Sequence, residues 1–218
     1  MRINLHLYSM GLFFQQNIDA FTRLAIWKIE EDLSFFQQQV PTKGDITHPQ
    51  KMLQHLAGRF LLPFLFPDFP NREIVVADTR KPYLPNEEYH FSISHSGDYA
   101  AAIVSKTHRV GIDIELFAEK IKRIEHKYLT EKEQQFIRKK GYIDLSLLTA
   151  CWSLKEAVYK WWSYGNLSFK DNIRIENIAC KPTAHFEVAF EKDDFSQKLS
   201  APICLFEQMS LVWLMTEV

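Results

Sequence analysis

Apolar positions recur along most of this chain at one of two intervals, and each interval predicts its own kind of element. Strict alternation runs through Arg2-Ile3-Asn4-Leu5-His6-Leu7-Tyr8, as a half-buried strand requires. An aromatic-rich region follows from 13 to 36. From about 49 to 65, Met52, Leu53, Leu56, Phe60 and Leu61 repeat at three- and four-residue steps. That spacing predicts an amphipathic helix, with Pro63 and Pro67 limiting its end. Residues 74–76 read as a short strand, and Lys81-Pro82-Tyr83-Leu84-Pro85 as an extended, proline-stiffened turn.

Further on, Phe91-Ser92-Ile93-Ser94 alternates, and 99–104 is a small apolar run on the far side of a Ser96-Gly97-Asp98 turn. These are two strands, and 110–116 is a third. Thr130-Glu131-Lys132-Glu133 has the form of a capping box that opens a helix. A long helix is expected over 145–164, closed by Gly165. Strands return near 184–190, 201–207 and 211–215. The class is α+β with antiparallel pairing. At 218 residues the chain fits one sizeable domain or two small lobes. A boundary near 105–109 would divide it into 1–107 and 108–218.

Composition narrows the partners. Hydrophobic residues make up 46% and charged residues 24%, a globular balance that argues against disorder. The formal net charge is −1, so no global field draws the chain to nucleic acid or anionic lipid. Any anionic ligand needs a local cluster of lysine, arginine or histidine. Three cysteines without a CxxC pair argue against a disulfide framework and against structural zinc. The opening residues lack a signal-peptide core, and no stretch reaches the roughly 18 to 20 apolar residues of a membrane span. A soluble, cytoplasmic protein is expected.

Three segments carry candidate chemistry. Asp113 and Glu115, at i and i+2 of a strand, point to one face. Like charges held that close are eased by a bridging cation, and oxygen-only ligands suit magnesium. A solvated strand face is the alternative. On the long helix Trp152, Glu156, Tyr159, Lys160 and Ser163 share a face, so Glu156 could complete a three-carboxylate site and Lys160 could meet a phosphate. The alternative is an exposed Glu156–Lys160 pair worth roughly 0.3 to 0.5 kcal/mol. His95, between Ser94 and Ser96 at a turn, could hold a phosphate with help from Lys81, or could be structural. Ser94 and Ser96 lack a GxSxG elbow, and His95 beside them points to the opposite strand face, which argues against a serine hydrolase.

In order and spacing, Lys81-Pro82, FSISHSG from Phe91, GIDIE from Gly111 and WSLKEAVYK from Trp152 resemble the signature of the phosphopantetheinyl transferases. The resemblance covers residues 80–165 and is to the longer two-lobed group typified by the surfactin-synthetase activator. That family pairs lysine with proline and then carries F-N-I-S-H-S, G-I-D-x-E and W-x-x-K-E-x-x-x-K. Resemblance implies two similar α+β lobes, each a small antiparallel sheet with a long helix, an active site at their interface, and a monomer. It implies an enzyme that moves the 4'-phosphopantetheine of coenzyme A to a serine of an apo acyl carrier protein, or of a peptidyl or polyketide carrier domain.

The implied roles follow residue by residue. Asp113, Glu115 and Glu156 would bind Mg2+ at the diphosphate of coenzyme A. Glu156 would take the serine proton, directly or through water, and Lys160 would neutralise the diphosphate. His95 and Lys81 would meet the 3'-phosphate, with Ser94 and the Pro82 backbone nearby, and Lys155 joins this coenzyme-binding set through its motif. Ser92 stands where the family has asparagine. The family also has a basic residue shortly before the segment resembling Leu56-Ala57-Gly58-Arg59-Phe60-Leu61-Leu62, for which Lys51, His55 and Arg59 are the nearest candidates. The rival readings are a non-catalytic carrier-binding module of the same fold and a magnesium phosphohydrolase. The latter would not need the FSISHSG and Lys81-Pro82 segments.

Overall fold

A computed structural model describes residues 11–41, 46–139, 144–181 and 183–218. The alternating stretch 2–8 lies outside the described residues. The α+β class with antiparallel sheets is borne out. Two compact units divide the chain, the first ending at Arg109 and taking in Val218, the second running Val110–Glu217. Each has its own apolar core.

In the first unit, β1 (Leu12–Asn17), β2 (Thr22–Lys28), β5 (His90–Ser96) and β6 (Tyr99–Ser105) form an antiparallel sheet in the order β1-β2-β6-β5. A two-stranded ribbon joins β3 (Val75–Val76) to β4 (Pro82–Tyr83). The helix α1 (Leu33–Gln39) starts at Asp32, whose carboxylate accepts the Phe35 N–H, and packs on α2 (Pro49–Leu65). The helix α2 lies on β6, β5 and β2. Its apolar stripe meets Trp27 and Phe36, and the Trp27 and Phe60 rings sit 4.9 Å apart, edge to face.

Pro63 does not end α2 but sits inside it. A proline there has no N–H to give the carbonyl four residues back. That carbonyl, of Arg59, accepts the Asn71 side-chain N–H at 3.2 Å, and the helix runs on to Leu65. The Leu65 carbonyl accepts from the Arg23 guanidinium at 2.9 Å. Gly58 sets the depth of the helix on the sheet, since a Cβ there would fall 2.5 Å from Ile93 Cγ2.

In the second unit the sheet order is β7-β11-β10-β9-β8, formed by β7 (His108–Leu116), β8 (Ile173–Ala179), β9 (His185–Lys192), β10 (Phe195–Leu205) and β11 (Met209–Glu217). The helix α5 (Leu145–Trp162) packs on β11 and β10, with α3 (Lys120–Tyr128) against it. The capping box at the head of α4 (Glu131–Lys139) is formed in both directions. Thr130 N donates to Glu133 Oε2 at 2.7 Å, and Glu133 N donates to Thr130 Oγ1 at 3.2 Å.

The N-terminus of α5 is capped by Asp144, which accepts from Ser146 N at 3.0 Å. Its end comes two residues earlier than Gly165. Ser163 takes the left-handed turn (φ 74°), and its hydroxyl reaches the Lys160 and Trp161 carbonyls at 3.2 and 3.0 Å. Those contacts satisfy carbonyls a helix end leaves open, so a serine does the work expected of the glycine. No helix among the described residues is long and apolar enough to cross a membrane.

Candidate functional site

The chemistry of the second unit depends on how β7 lies against α5. Gly111 permits the approach: a Cβ there would stand 2.1 Å from the Ala157 carbonyl oxygen and 2.9 Å from Trp161 N. With the backbones that close, the two residues that follow on the same strand face meet the helix at positions two turns apart. Lys160 Nζ donates to Asp113 Oδ1 at 2.7 Å, and Trp152 Nε1 donates to Glu115 Oε1 at 3.3 Å. Same-face strand positions are about 6.6 Å apart, and four helical residues rise about 6 Å. The partners of Asp113 and Glu115 are eight residues apart on α5, about 12 Å, so the Lys160 and Trp152 side chains reach in from either side of the shorter strand step, with Glu156 on the turn between them.

Glu156 falls between these contacts, and its electrostatics report the company it keeps. Burial pushes its carboxyl up to about 7; the Asp113 and Glu115 carboxylates push the same way, while Lys160 pulls it down. Asp113 is itself buried. Glu156 thus feels two carboxylate charges, with one lysine ammonium as partial relief. A hard divalent cation fits that donor set in chemistry, since all the candidate ligands are oxygens and the crowding of negative charge is what it would relieve. Among the described residues, no three His, Cys, Asp or Glu side chains are spaced as a closed metal centre. Beside Glu115 and Trp152 lies a cavity of about 170 Å³ with an apolar wall of Leu116, Ile121 and Ile124.

The first unit gathers cations. The β5–β6 hairpin turns at Gly97 (φ 56°), directly after His95 and Ser96. Two α2 glutamines hold that turn: Gln54 Nε2 donates to the Gly97 carbonyl at 2.7 Å, and Gln50 Nε2 to Asp98 Oδ1 at 3.0 Å. This brings His55 and Arg59 toward His95. Burial depresses the His55 imidazole, and the Arg59 and His95 charges depress it further. Burial also lowers the Arg59 guanidinium. Lys51, His55 and Arg59 are four residues apart and so share one face of α2, with Lys51 exposed in the first turn. A second group surrounds Lys81, whose ammonium is lowered to about 8 by burial and then by Arg109. His90 is likewise depressed by burial and by the Arg109 and Lys81 charges, although Glu87 opposes this. Ser94 is buried on β5, and Pro82 pairs with Val76 in the small ribbon.

Residues 109–203 match the 4'-phosphopantetheinyl transferase superfamily. The resemblance read from the motifs is borne out over the stretch that holds Gly111, Asp113, Glu115, Glu156 and Lys160. The chain is also similar to enterobactin synthase component D of Escherichia coli (strain K12), with 31% identity over 136 residues. That likeness covers 60% of this chain and 63% of the relative.

Within the superfamily motif the structure separates two lysines that the sequence set side by side. Lys160 reaches the carboxylates. Lys155 points the other way and is fully buried, its ammonium held by Glu133 Oε1 at 2.8 Å and by the Phe169 carbonyl at 2.9 Å, with the Ile173 carbonyl as third acceptor. All three ammonium protons are used, so the coenzyme contact expected of Lys155 is corrected to a contact with the core. His90 and Arg109 stand beside Lys81 and were missed by motif reading. Their only signal was position, at the first residue of a motif strand and two residues before Gly111.

Proposed function

We propose that this protein is a magnesium-dependent transferase that moves 4'-phosphopantetheine from coenzyme A to a serine of an apo carrier protein, of the acyl, peptidyl or polyketide type. The observation that carries the reading is the register of β7 on α5, which gives Asp113, Glu115, Glu156 and Lys160 a common electrostatic environment inside a superfamily match.

Asp113, Glu115 and Glu156 would hold the cation, which supplies positive charge to the diphosphate when bound. Lys160, already the counter-charge of Asp113, neutralises diphosphate oxygens as charge moves onto the leaving group. The carrier serine oxygen forms a bond to the β-phosphorus, the bridging P–O bond to the α-phosphate breaks, and adenosine 3',5'-bisphosphate departs with the bonding pair. Glu156 receives the serine proton, directly or through one water. In the first unit His95 and Lys81 take the 3'-phosphate, with Ser94 and the Pro82 backbone beside them. His55, Arg59 and Lys51 extend that cationic surface along α2.

The test uses an apo carrier, magnesium and either coenzyme A or dephospho-coenzyme A, with the carrier weighed by mass spectrometry. Wild-type protein should add one phosphopantetheine. His95→Ala should weaken coenzyme A by roughly 10- to 100-fold, the worth of a charge-assisted hydrogen bond, and leave dephospho-coenzyme A nearly unchanged. Equal weakening of both donors removes His95 from the 3'-phosphate. Carrier binding without any mass gain, over several carriers, would establish the non-catalytic module instead.

A further inference from the structure

Beneath the carboxylates lies a second charged pair that transfer chemistry does not use. Lys155 and Glu133 are both buried, at 0% and 4% side-chain exposure, and join at 2.8 Å. Neither has bonding capacity to spare. The lysine ammonium donates to Glu133, Phe169 and Ile173. Glu133 Oε1 accepts from Lys155 and from Ile175 N at 2.8 Å, while Oε2 accepts from Thr130 N at 2.7 Å and Thr130 Oγ1 at 3.1 Å. Four accepted bonds saturate a carboxylate. One side chain therefore ties the head of α4, the middle of α5 and the start of β8.

An ion pair is not the obvious way to fill such a space. Well-packed apolar residues of similar volume would serve stability as well, whereas a saturated ion pair fixes direction. Direction matters here because Lys155 and Glu156 are consecutive. Neighbours on a helix are turned about 100° from one another, so anchoring Lys155 into the core sets the angle at which Glu156 leaves α5. Lys160 is set by the same rotation. Gly111 against Ala157 limits how close β7 comes, and Ser153 Oγ meets Ser210 Oγ of β11 at 3.0 Å. Trp161 Nε1 donates to Thr216 Oγ1 of β11 at 2.9 Å, and the apolar face of α5 packs into the core; to these the Lys155–Glu133 pair adds a saturated, directional contact on the far side of the helix.

We propose that the Lys155–Glu133 pair is a rotational clamp on α5 and that both are positioning residues, orienting Glu156 and Lys160 toward Asp113 without touching coenzyme A. This rests on the reading of Asp113, Glu115 and Glu156 as magnesium ligands. It predicts that neutralising the clamp loosens the ligand set while leaving donor recognition in place.

The test compares wild type, Glu133→Gln and the near-isosteric neutral pair Glu133→Gln/Lys155→Met. Mn2+ binding is followed by electron paramagnetic resonance, with kcat and the KM for coenzyme A measured alongside, and circular dichroism checks the fold. The folded double variant should bind Mn2+ roughly 10-fold more weakly or worse, as loss of an outer partner of a metal ligand does. Its kcat should fall in step, with KM for coenzyme A changed less than about 3-fold. Glu133→Gln leaves the buried ammonium with only its two carbonyl acceptors, so it should move the same way by as much or more, and whichever of the two variants folds settles the matter. Wild-type Mn2+ affinity in either folded variant overturns the clamp alone. Absence of Mn2+ binding by the wild-type protein overturns the clamp and the magnesium reading together.

Discussion

Both units lay one long helix across an antiparallel sheet, but they put the glycine that allows close approach on opposite partners. In the first it is on the helix, where Gly58 faces the Cγ2 methyl of Ile93. In the second it is on the strand, where Gly111 faces helix backbone. The difference shows in the chemistry each presents. A smooth strand at Gly111 lets the side chains after it, Asp113 and Glu115, mesh with α5 residues at 152, 156 and 160. A smooth helix at Gly58 leaves α2 to present Lys51, His55 and Arg59, with glutamines gripping the hairpin that carries His95. One unit concentrates carboxylates, the other cations.

That contrast breaks most sharply at turnover. Asp113→Ala or Glu156→Ala should lower kcat by at least about 100-fold while circular dichroism stays native, because each removes charge stabilisation from the reacting diphosphate. Near-normal turnover by either variant would dissolve the acidic half of the comparison. The structural contrast is tested by two alanines. Gly111→Ala should cost about 2–3 kcal/mol in denaturant unfolding, since backbone and a tryptophan stem must shift. Gly58→Ala should cost less than about 1 kcal/mol, because the obstacle is one methyl and alanine favours a helix. Equal losses would mean that the depth of packing is not set by glycine in the way described.

The contrast extends to pH dependence, where the units should move in opposite directions. Glu156 holds its proton more tightly in the fold than in the unfolded chain. As pH rises from the usual carboxylate range to about 7, the unfolded state has already released a proton the fold still carries, so stability falls across that window and is level above it. Lys81 binds its proton less tightly in the fold. Between about 8 and the ordinary lysine range the unfolded chain retains a proton the fold has lost, so stability rises with pH. Without divalent cation, Glu156→Gln should remove the first slope and Lys81→Met the second. Each is worth on the order of 1–2 kcal/mol after allowance for partial exposure.

Much of this was legible before the fold was seen. The helix over 49–65 stood out because its stripe is regular, and α2 spans Pro49–Leu65. The capping box announced α4, and alternation announced β5. What escaped detection lacked a period or was masked by charge. In β2, Leu24-Ala25-Ile26-Trp27 is buried at every position, so no alternation marks it as a strand. In α3 the run Lys120-Ile121-Lys122-Arg123 reads as polar surface until Ile121 and Tyr128 are seen in the core. Pro63 looked like a stop because its cost was visible in sequence and its compensation, from Asn71, was not.

By itself the chain's order of residues determined the candidate site's membership and its local geometry. Two strand carboxylates two apart share a face, and helix residues four apart share a face, which follows from backbone geometry alone. Tertiary structure decided which of two motif lysines faces the carboxylates and how firmly Glu156 holds a proton. Those properties depend on burial and on charges more than 20 positions away, such as Glu133 from Lys155 and Asp113 from Glu156, and a linear spacing rule carries no information about them.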